Sequence, residues 1–168
     1  MLERNEHIVL LSLGSNVEPR LNTIEKAIEL IRAEYGNTNV LTISPIYETE
    51  PWGFESETTF LNLCVKVSTL KTPLEILTIN QRIEKELGRK PKVSHHYESR
   101  AIDIDILLFD QQTISTSRLK IPHPQMEKRK FVLKPLNDIA NDYVHPLLNK
   151  TIKQLLAVCE DDSEPELH

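Results

Sequence analysis

Hydrophobic residues recur along this chain in blocks that alternate between the period of a β-strand and that of an α-helix. Residues 7–13 form an almost continuous apolar run, which is typical of a strand buried in the middle of a sheet. Residues 39–48 and 59–67 are two further predicted strands, and in the second of these leucine or valine fills every other position. Residues 101–106 alternate again before three apolar residues, which predicts a fourth strand.

Two blocks between these strands have helical spacing. Apolar residues recur every three or four positions from Leu21 to Ile31, and Gly36 is suited to end that helix. The capping box Thr72-Pro73-Leu74-Glu75 predicts a second helix that runs to Gly88. We expect Leu21 and Leu74 to belong to the apolar stripes that cover the sheet.

The C-terminal third predicts two shorter helices and a tail. Apolar residues over 131–139 indicate a helical segment, which we expect to be broken near Pro135. A second capping box, Thr151 to Gln154, opens a short helix. Residues 160–168 are strongly acidic, so we expect one folded domain over residues 1–159 and a disordered tail after it.

The order strand, helix, strand, strand, helix, strand fits a ferredoxin-like βαββαβ core of the α+β class. In this arrangement the helices cover one face of an antiparallel sheet, and we expect an active-site cleft on the other face. The chain has 168 residues, of which 39% are hydrophobic and 27% are charged, so it is long enough and apolar enough to bury one core.

Charge and composition exclude several classes of protein. The net charge of -5 argues against general nucleic-acid binding. No apolar run approaches the roughly 20 residues of a membrane span, and the first residues lack a signal-peptide pattern, so we expect a cytoplasmic protein. Its two cysteines, Cys64 and Cys159, have no metal-binding or redox spacing and are expected to be reduced thiols.

The fourth predicted strand carries two aspartates where strands rarely have them. Asp103 and Asp105 share a face with Leu107 and Phe109, while Leu108 falls on the opposite face. Two carboxylates roughly 6 to 7 Å apart along a strand repel each other unless a cation lies between them. Mg²⁺ with phosphate oxygens is one explanation, and a half-exposed strand with two solvated acids is the other.

Other candidate residues lie in loops and on the third strand. Residues 48–57 form a loop with the only tryptophan of the chain, Trp52, which indicates packing or ligand binding. Residues 89–99 form a basic loop before Arg100, which suggests a lid over phosphates. The turn at residues 14–16 could face a ligand or simply connect a strand to a helix.

Six short motifs occur in the order and spacing of one family. They are Leu13-Gly14-Ser15-Asn16, Tyr47-Glu48-Thr49-Glu50-Pro51-Trp52-Gly53, Phe60-Leu61-Asn62, Gln81-Arg82-Ile83-Glu84 with Gly88-Arg89, Arg100-Ala101-Ile102-Asp103-Ile104-Asp105-Ile106-Leu107, and Ile121-Pro122-His123-Pro124 with Arg129 and Phe131. Over about residues 7–158 the chain resembles the 6-hydroxymethyl-7,8-dihydropterin pyrophosphokinases. Each motif is weak alone, but six in register are highly specific.

The resemblance implies transfer of the diphosphoryl group of ATP to the hydroxymethyl oxygen of the pterin in folate biosynthesis, with ATP as co-substrate and two Mg²⁺ ions. It implies that Asp103 and Asp105 hold the metal and that Arg89 and Arg100 are catalytic. The implied pterin-binding residues are Thr49, Glu50, Trp52, Phe60, Asn62 and Phe131. The implied ATP-binding residues are Gln81, Glu84, Ile106, Arg118, Lys120, His123 and Arg129.

One departure from the family and one alternative remain. The family often has Trp-Gly-Pro-Arg before its aspartates, where this chain has Tyr97-Glu98-Ser99-Arg100. This substitution affects closure of the loop more than the type of reaction. The alternative function is a ferredoxin-like module that binds a small ligand without turnover, although such a module has no need for both a basic loop and paired aspartates. We expect a monomer.

Overall fold

The computed structural model describes residues 5–36, 41–90 and 99–168 of the protein. Its strands are β1 (His7–Ser15), β2 (Leu41–Ile43), β3 (Tyr47–Thr49), β4 (Phe60–Thr69), β5 (Asp103–Phe109), β6 (Ile114–Ser115), β7 (Lys120–Ile121) and β8 (Glu166–Leu167). Its helices are α1 (Arg20–Glu34), α2 (Pro73–Glu86), α3 (Lys130–Ala140) and α4 (Ile152–Ala157), and a single 3₁₀ turn spans Met126–Lys128. No helix among these residues is both long and apolar enough to cross a membrane.

Six strands form one antiparallel sheet in the order β5-β1-β4-β3-β8, and β2 also pairs with β4. β1 pairs with β4 along its whole length, from His7 opposite Thr69 to Ser15 opposite Leu61. β6 and β7 form a separate two-stranded sheet. The core follows the predicted ferredoxin-like order: β1, α1, the β2–β3 segment, β4, α2 and β5. The fold class is therefore confirmed.

One face of the sheet packs against α1 and α2. The apolar residues at odd positions of β1 and β4 point to this face, as the alternation predicted, and so do Ile102, Ile104 and Ile106. Ile24 and Ile31 from α1 and the isoleucines of α2 fill the space above them. This layer is the larger of the two hydrophobic cores.

The other face is only partly open, which differs from the prediction of helices on a single face. α3 and α4 cover one end of it, where Leu10, Cys64 and Leu108 form a second core with Leu133 and Leu155. Helices therefore lie on both faces of the sheet. The uncovered end of the second face, beyond α3, is where the cleft lies.

A bulge in β5 accounts for a wrong prediction of side-chain direction. Leu10 pairs with Leu108 but the next residue of β1 pairs with Ile106, so Leu107 is an extra residue on β5. Beyond it the alternation is inverted: Leu108 packs under α3 and α4, and Phe109 packs under α1 and α2. In a regular strand the two would be exchanged: Leu108 would pack under α1 and α2, and Phe109 under α3 and α4.

The predicted strand over residues 39–48 is two short strands, β2 and β3, separated at Ser44–Ile46; residues 39 and 40 lie outside the described residues. Pro45 has no N–H to donate, which ends the ladder there. The Ser44 amide donates to the Cys64 carbonyl oxygen (2.9 Å), and the Cys64 amide donates to Ser44 Oγ (2.9 Å). A side-chain hydroxyl therefore replaces a backbone partner at this break.

The helix predictions hold with small corrections. Both capping boxes are present, at Thr72 and at Thr151. Leu21 and Leu74, expected on the buried stripes, are 40% and 49% exposed because each lies in the first turn of its helix, outside the layer. α3 continues through Pro135 without a break, since burial of Val132, Leu133 and Leu136 on the sheet offsets the cost of proline, about 3 kcal/mol.

Residues 160–168, whose composition predicts a disordered tail, make defined contacts with the rest of the protein in the structure. β8 pairs with β3, and the segment before it runs across α3. Acidic composition disfavours a self-contained fold, but these residues find hydrogen-bond donors on elements that are already folded.

Candidate active site

Two adjoining pockets lie at the uncovered end of the sheet. The first, which we call the aromatic pocket, is lined by residues from β1, β3, β4, β5, α3 and the loop after β3: Ser12, Gly14, Thr49, Glu50, Trp52, Phe54, Phe60, Asn62, Arg100, Asp103, Asp105, Arg129, Phe131 and Val132. All six residues predicted to bind a pterin line this pocket.

The floor of the aromatic pocket is built by a close pair of strand residues. Asn62 is 4% exposed and its Nδ2 donates to Thr49 Oγ1 at 2.6 Å. Gly14 lies opposite Asn62 on β1, and a Cβ atom at Gly14 would lie 2.8 Å from Asn62 Oδ1. Only glycine leaves room for the amide here, so the backbone of β1 fixes the direction of the Asn62 side chain.

The walls of the aromatic pocket come from separate elements. The rings of Phe54 and Phe60 meet edge to face, with centroids 6.0 Å apart and an interplanar angle of 86°. On the other side the rings of Trp52 and Phe131 are 6.4 Å apart. The Arg129 guanidinium lies 4.8 Å from the centroid of the Trp52 ring, a cation–π contact that holds the tryptophan loop to the start of α3.

The second pocket, which we call the charged pocket, is lined by residues from α2, β5 and the segment before α3. They are Leu77, Asn80, Gln81, Glu84, Arg89, Arg100, Asp103, Ile104, Asp105, His123, Pro124, Gln125 and Arg129. Arg100, Asp103, Asp105 and Arg129 line both pockets, so the two sites meet at these four side chains.

A chain of ion pairs crosses the junction of the pockets. Arg89 Nη1 lies 2.5 Å from Glu84 Oε2 and 3.1 Å from Asp103 Oδ1. Arg100 Nη1 lies 2.9 Å from the other oxygen of the same aspartate. Each carboxylate oxygen of Asp103 thus lies within hydrogen-bonding distance of a different guanidinium group.

Asp105 is much less well compensated. Its carboxylate is 3.9 Å from His123 Nε2, and desolvation, followed by the charges of Asp103 and Glu84, raises its pKa above the ordinary range of an aspartate. Burial also raises the pKa of Glu84, whose Oε1 accepts a hydrogen bond from the Ile104 amide at 2.8 Å. Arg129 and Arg100 act against this rise but do not cancel it, so a cation would stabilise the charged form of Asp105.

His123 is held as a neutral imidazole. Its backbone amide donates to the Leu107 carbonyl oxygen at 2.9 Å, and its Nδ1 accepts from the Gln125 amide at 3.2 Å. Burial and the nearby Arg129 lower the pKa of His123 to about 4. The proton therefore lies on Nε2, the nitrogen that faces Asp105.

Asn16 fastens two loops at the rim of the cleft. It is 1% exposed; its Oδ1 accepts from the Arg100 amide at 2.7 Å and its Nδ2 donates to Ser99 Oγ at 3.0 Å. Its carbonyl oxygen accepts from Thr58 Oγ1 at 2.7 Å. The turn that the sequence left open between a ligand contact and a plain connection is a clamp on the segment that leads into β5.

Some predicted site residues are not in either pocket. Ile106 lies in the larger core and is 5% exposed. Arg118, in the connection between β6 and β7, and Lys120, on β7, are exposed and belong to neither lining. Of the predicted lid over residues 89–99, residues 91–98 lie outside the described residues, and so does the departure at Tyr97 and Glu98.

Sequence reasoning gave no site role to several lining residues, among them Ser12 and Phe54 in the aromatic pocket and Gln125 in the charged one, and it left the role of the turn at Gly14 and Asn16 open. Gly14 carried a usable signal, because a glycine near the end of a strand marks close approach of another group. Ser12 did too, since it is the polar residue in an apolar run. Phe54 carried none that separates it from ordinary loop residues.

The donors present suit Mg²⁺. Asp103 and Asp105 offer two carboxylates at a site that also has arginines for phosphate, and Mg²⁺ is typically bound by one or two carboxylates together with phosphate and water oxygens. Within residues 5–36, 41–90 and 99–168, no three His, Cys, Asp or Glu side chains form a cluster suited to a metal. The two aspartates therefore fit a metal that shares its shell with a substrate.

Fold and site together define a ferredoxin-like protein in which an aromatic pocket adjoins a charged, carboxylate-bearing one. Residues 10–141 match the model of the family 7,8-dihydro-6-hydroxymethylpterin-pyrophosphokinase (HPPK). The chain belongs to this family. It is 42% identical over 146 residues to the 2-amino-4-hydroxy-6-hydroxymethyldihydropteridine pyrophosphokinase of Aquifex aeolicus, covering 87% of this chain and 88% of that protein. It is 46% identical over 141 residues to the protein of the same name from Porphyromonas gingivalis, covering 83% of this chain and 94% of that one.

Solved structures agree on the fold. A crystal structure of an HPPK-DHPS in complex with substrates superposes with a TM-score of 0.71 at 19% identity, over 90% of this chain and 43% of that one. A Plasmodium falciparum HPPK-DHPS has a TM-score of 0.72 at 21% identity, over 93% of this chain and 46% of that one. The chain therefore spans under half the length of these neighbours, and at such identities the likeness shows the fold alone.

Proposed function

We infer that the protein transfers the diphosphoryl group of ATP to the hydroxymethyl oxygen of 6-hydroxymethyl-7,8-dihydropterin, a step of folate biosynthesis. The substrate oxygen forms a bond to the β-phosphorus, the bond from that phosphorus to the α–β bridging oxygen breaks, AMP leaves and the hydroxyl proton is released. The observation that carries this function is the junction of the two pockets at Arg100, Asp103, Asp105 and Arg129. A flat heterocycle on one side and a triphosphate on the other would meet there.

The aromatic pocket is suited to the pterin. Phe60 and Phe131 offer ring faces from opposite elements, β4 and α3, and Asn62 offers an amide at the floor. Thr49 holds that amide through its hydroxyl group, and Glu50 and Trp52 follow it in the loop. We propose that backbone and side-chain groups of this loop read the edge of the heterocycle.

The charged pocket is suited to ATP. Gln81, Glu84, His123 and Arg129 line it and are the proposed nucleotide contacts there. We propose three further contacts, Ile106 through its backbone and Arg118 and Lys120 from the hairpin. The basic residues give the phosphates charge partners on more than one side.

Asp103 and Asp105 are the proposed ligands of two Mg²⁺ ions. When bound, the ions supply neutralisation of charge on the phosphates and alignment of the attacking and leaving oxygens. Asp105, with its raised pKa, supports this role, because a carboxylate that is costly to ionise in the folded protein is stabilised by a cation.

Arg89 and Arg100 are the proposed catalytic arginines. Both guanidinium groups contact Asp103, and guanidinium groups bind phosphate oxygens with the same donor geometry as carboxylate oxygens. Arg100 lines both pockets, so it lies where the diphosphoryl group would pass between the substrates. We also expect the protein to act in the cytoplasm, where ATP is available, and as a monomer.

Product analysis tests this function. The protein is incubated with ATP, Mg²⁺ and 6-hydroxymethyl-7,8-dihydropterin, and the nucleotides are separated; a sample without the pterin is the control. We expect pterin-dependent AMP in a 1:1 ratio to the pterin diphosphate. ADP would instead indicate a monophosphoryl kinase, and binding of both ligands without any nucleotide turnover would indicate a binding module.

A pair of asparagine variants tests the pterin pocket separately. Asn62→Ala should raise the KM for the pterin at least tenfold and change the KM for ATP by less than twofold, because Asn62 lies only in the aromatic pocket. Asn22→Ala, on the exposed side of α1, is the matched control and should leave both unchanged. Equal changes in the two KM values for Asn62→Ala would contradict the assignment.

A further inference from the structure

Residues 160–168 contact two elements of the aromatic pocket: β3, which contributes to its floor, and α3, which contributes to one wall. The first is β3. β8 pairs with β3 at the edge of the sheet, with Tyr47 opposite Leu167 and Glu48 opposite Glu166. The His168 amide donates to the Ile46 carbonyl oxygen at 2.9 Å and extends this pairing by one residue.

The second element is α3. Asp161 Oδ2 accepts a hydrogen bond from the Lys130 amide at 2.8 Å, and its Oδ1 accepts from the Ser163 amide at 2.9 Å. Arg129, the N-cap residue of α3, makes no capping bond with its own side chain. Asp161 therefore supplies from outside the helix the carboxylate that a capping residue normally supplies from within it.

Two further contacts hold the segment along α3. Lys134 Nζ donates to the Pro165 carbonyl oxygen at 2.9 Å and lies 5.4 Å from the centroid of the Tyr47 ring. Tyr47 Oη in turn donates to Asp138 Oδ2 at 2.6 Å. Pro165 is buried, so the segment is packed against the protein and does not merely lie over it.

Both elements lead directly into the aromatic pocket. Thr49, at the end of β3, bonds Asn62 on the floor. Phe131, in the first turn of α3, is on the wall, one residue after the amide that Asp161 caps. Residues 160–168 therefore connect an element of the floor to an element of the wall, in addition to the packing of α3 on the sheet.

We propose that residues 160–168 act as a strap that sets the width of the aromatic pocket, with Asp161 as its main positioning residue. This proposal rests on the proposed function for its substrate, the pterin, but not for its structural content. The segment lies outside the part of the chain that matches the family model, residues 10–141. Thr49 and Phe131 line only the aromatic pocket, whereas Arg129 lines both pockets, so the strap would act more on pterin binding than on ATP binding.

Three point variants and a truncation test the strap. Asp161→Ala removes the cap, and Asp161→Asn keeps an acceptor for the Lys130 amide. Asp162→Ala is the matched control, an exposed neighbour of the same charge. A chain that ends at Cys159 removes the whole segment. For each we would measure kcat, the KM for the pterin, the KM for ATP, and thermal unfolding.

Asp161→Ala should raise the KM for the pterin about threefold to tenfold, with the KM for ATP changed by less than twofold. Asp161→Asn should restore the wild-type value to within twofold, and the control should match the wild type. The truncation should show the largest rise in pterin KM. Unchanged pterin KM in Asp161→Ala and in the truncation, or an equal rise in both KM values, would overturn the proposal.

A second readout needs no substrate. Trp52 is the only tryptophan of the chain, and it contacts Phe131 and Arg129 at the start of α3. Its emission should therefore change in Asp161→Ala and in the truncation but not in Asp162→Ala. If the wild type made no AMP, the proposed function would fail while this measurement still tested the strap. Emission identical in all variants would count against it.

Discussion

Arg89 and Asp103 are in contact across the charged pocket, with Nη1 of the arginine 3.1 Å from Oδ1 of the aspartate. One is a proposed phosphate-binding cation and the other a proposed metal ligand. The two side chains therefore neutralise each other within the protein, although Arg89 is suited to phosphate oxygens and Asp103 to a metal ion that binds the same phosphates. Such pairs keep opposite charges in place in a partly buried cleft, where unpaired charges would be costly.

Replacing the aspartates should separate activity from stability. We expect Asp103→Asn and Asp105→Asn to lower kcat at least about 10³-fold, because an amide is a poor Mg²⁺ ligand beside phosphate. Asp105→Asn should also raise Tm at neutral pH, since the raised pKa of Asp105 means that its charged form costs free energy in the folded state.

A third aspartate is the control for that experiment. Asp110, outside both pockets, accepts from the Ile8 amide at 2.7 Å. Asp110→Ala should lower Tm and leave kcat unchanged. If either active-site variant kept near wild-type activity with Mg²⁺, the metal-ligand assignment would be wrong.

Arg100→Ala should slow the chemical step far more than it weakens pterin binding. Loss of one charged donor at a phosphoryl transition state costs on the order of 3 kcal/mol, or about 10²-fold in kcat. Single-turnover rates and the pterin dissociation constant, measured with a non-hydrolysable ATP analogue, give the two quantities. Arg82→Ala, whose guanidinium pairs with Glu34 on the surface, is the matched control. Equal losses in rate and binding would argue against a catalytic role.

Asn16→Ala should act on the same step through Arg100. The substitution removes the acceptor for the Arg100 amide and the donor to Ser99 Oγ. We expect kcat to fall about tenfold with the pterin KM changed by less than threefold. Asn16→Asp keeps the acceptor and should recover part of the loss, which a purely steric effect would not predict.

Gly14→Ala should damage the aromatic pocket without unfolding the protein. The added methyl group would lie 2.8 Å from Asn62 Oδ1, so the amide must move. We expect the pterin KM to rise at least tenfold. Gly36→Ala is a contrasting control: Gly36 has φ of +72°, and none of the described residues has an atom within 4 Å of an added Cβ, so that variant should lose about 1 kcal/mol of stability with its KM unchanged.

His145 should make the fold less stable in mild acid. It is 3% exposed, its Nδ1 accepts from the Leu147 and Leu148 amides, and burial lowers its pKa against an opposing effect of Glu127. The unfolded chain therefore binds a proton first as the pH falls below about 6.5, and stability is lost from there downward. Urea unfolding between pH 7 and pH 5 should show a steeper loss for the wild type than for His145→Asn. Parallel curves would exclude His145 as the cause.

Much of this architecture is predictable from the sequence because it depends on local period and local capping. Thr72 and Thr151 cap their helices within four residues, and the odd positions of β4 face one core. The predictions failed where a distant partner decides the outcome. At the end of β2, the Ser44 hydroxyl group accepts the hydrogen bond from the Cys64 amide that a backbone carbonyl would normally accept. On β5, Leu108 points to the other face because Leu107 has no pairing partner on β1.

The site shows the same division. Residues with unusual chemistry for their element, such as Asp103 and Asp105 on a strand, stand out in the sequence. Asn16 does not, because its role consists of hydrogen bonds to residues more than 80 positions away, Ser99 and Arg100. The packing of the acidic tail does not stand out in the sequence either, because it depends on hydrogen-bond donors of α3 and on the edge of β3 that is free to pair.

The extra residue at Leu107 divides β5 into two parts in which odd-numbered side chains point to opposite faces of the sheet. In a regular strand, a face that carries aspartates at 103 and 105 would also carry 107 and 109, and Leu108 would point to the other core. With the bulge, Leu107 and Leu108 both anchor α3 and α4, while the aspartates keep their own direction toward the cleft. The end of the strand that carries the aspartates and the end that packs under the helices thus follow different alternations, so we expect substitutions that repack α3 and α4 at Leu107 and Leu108 to disturb the carboxylates little.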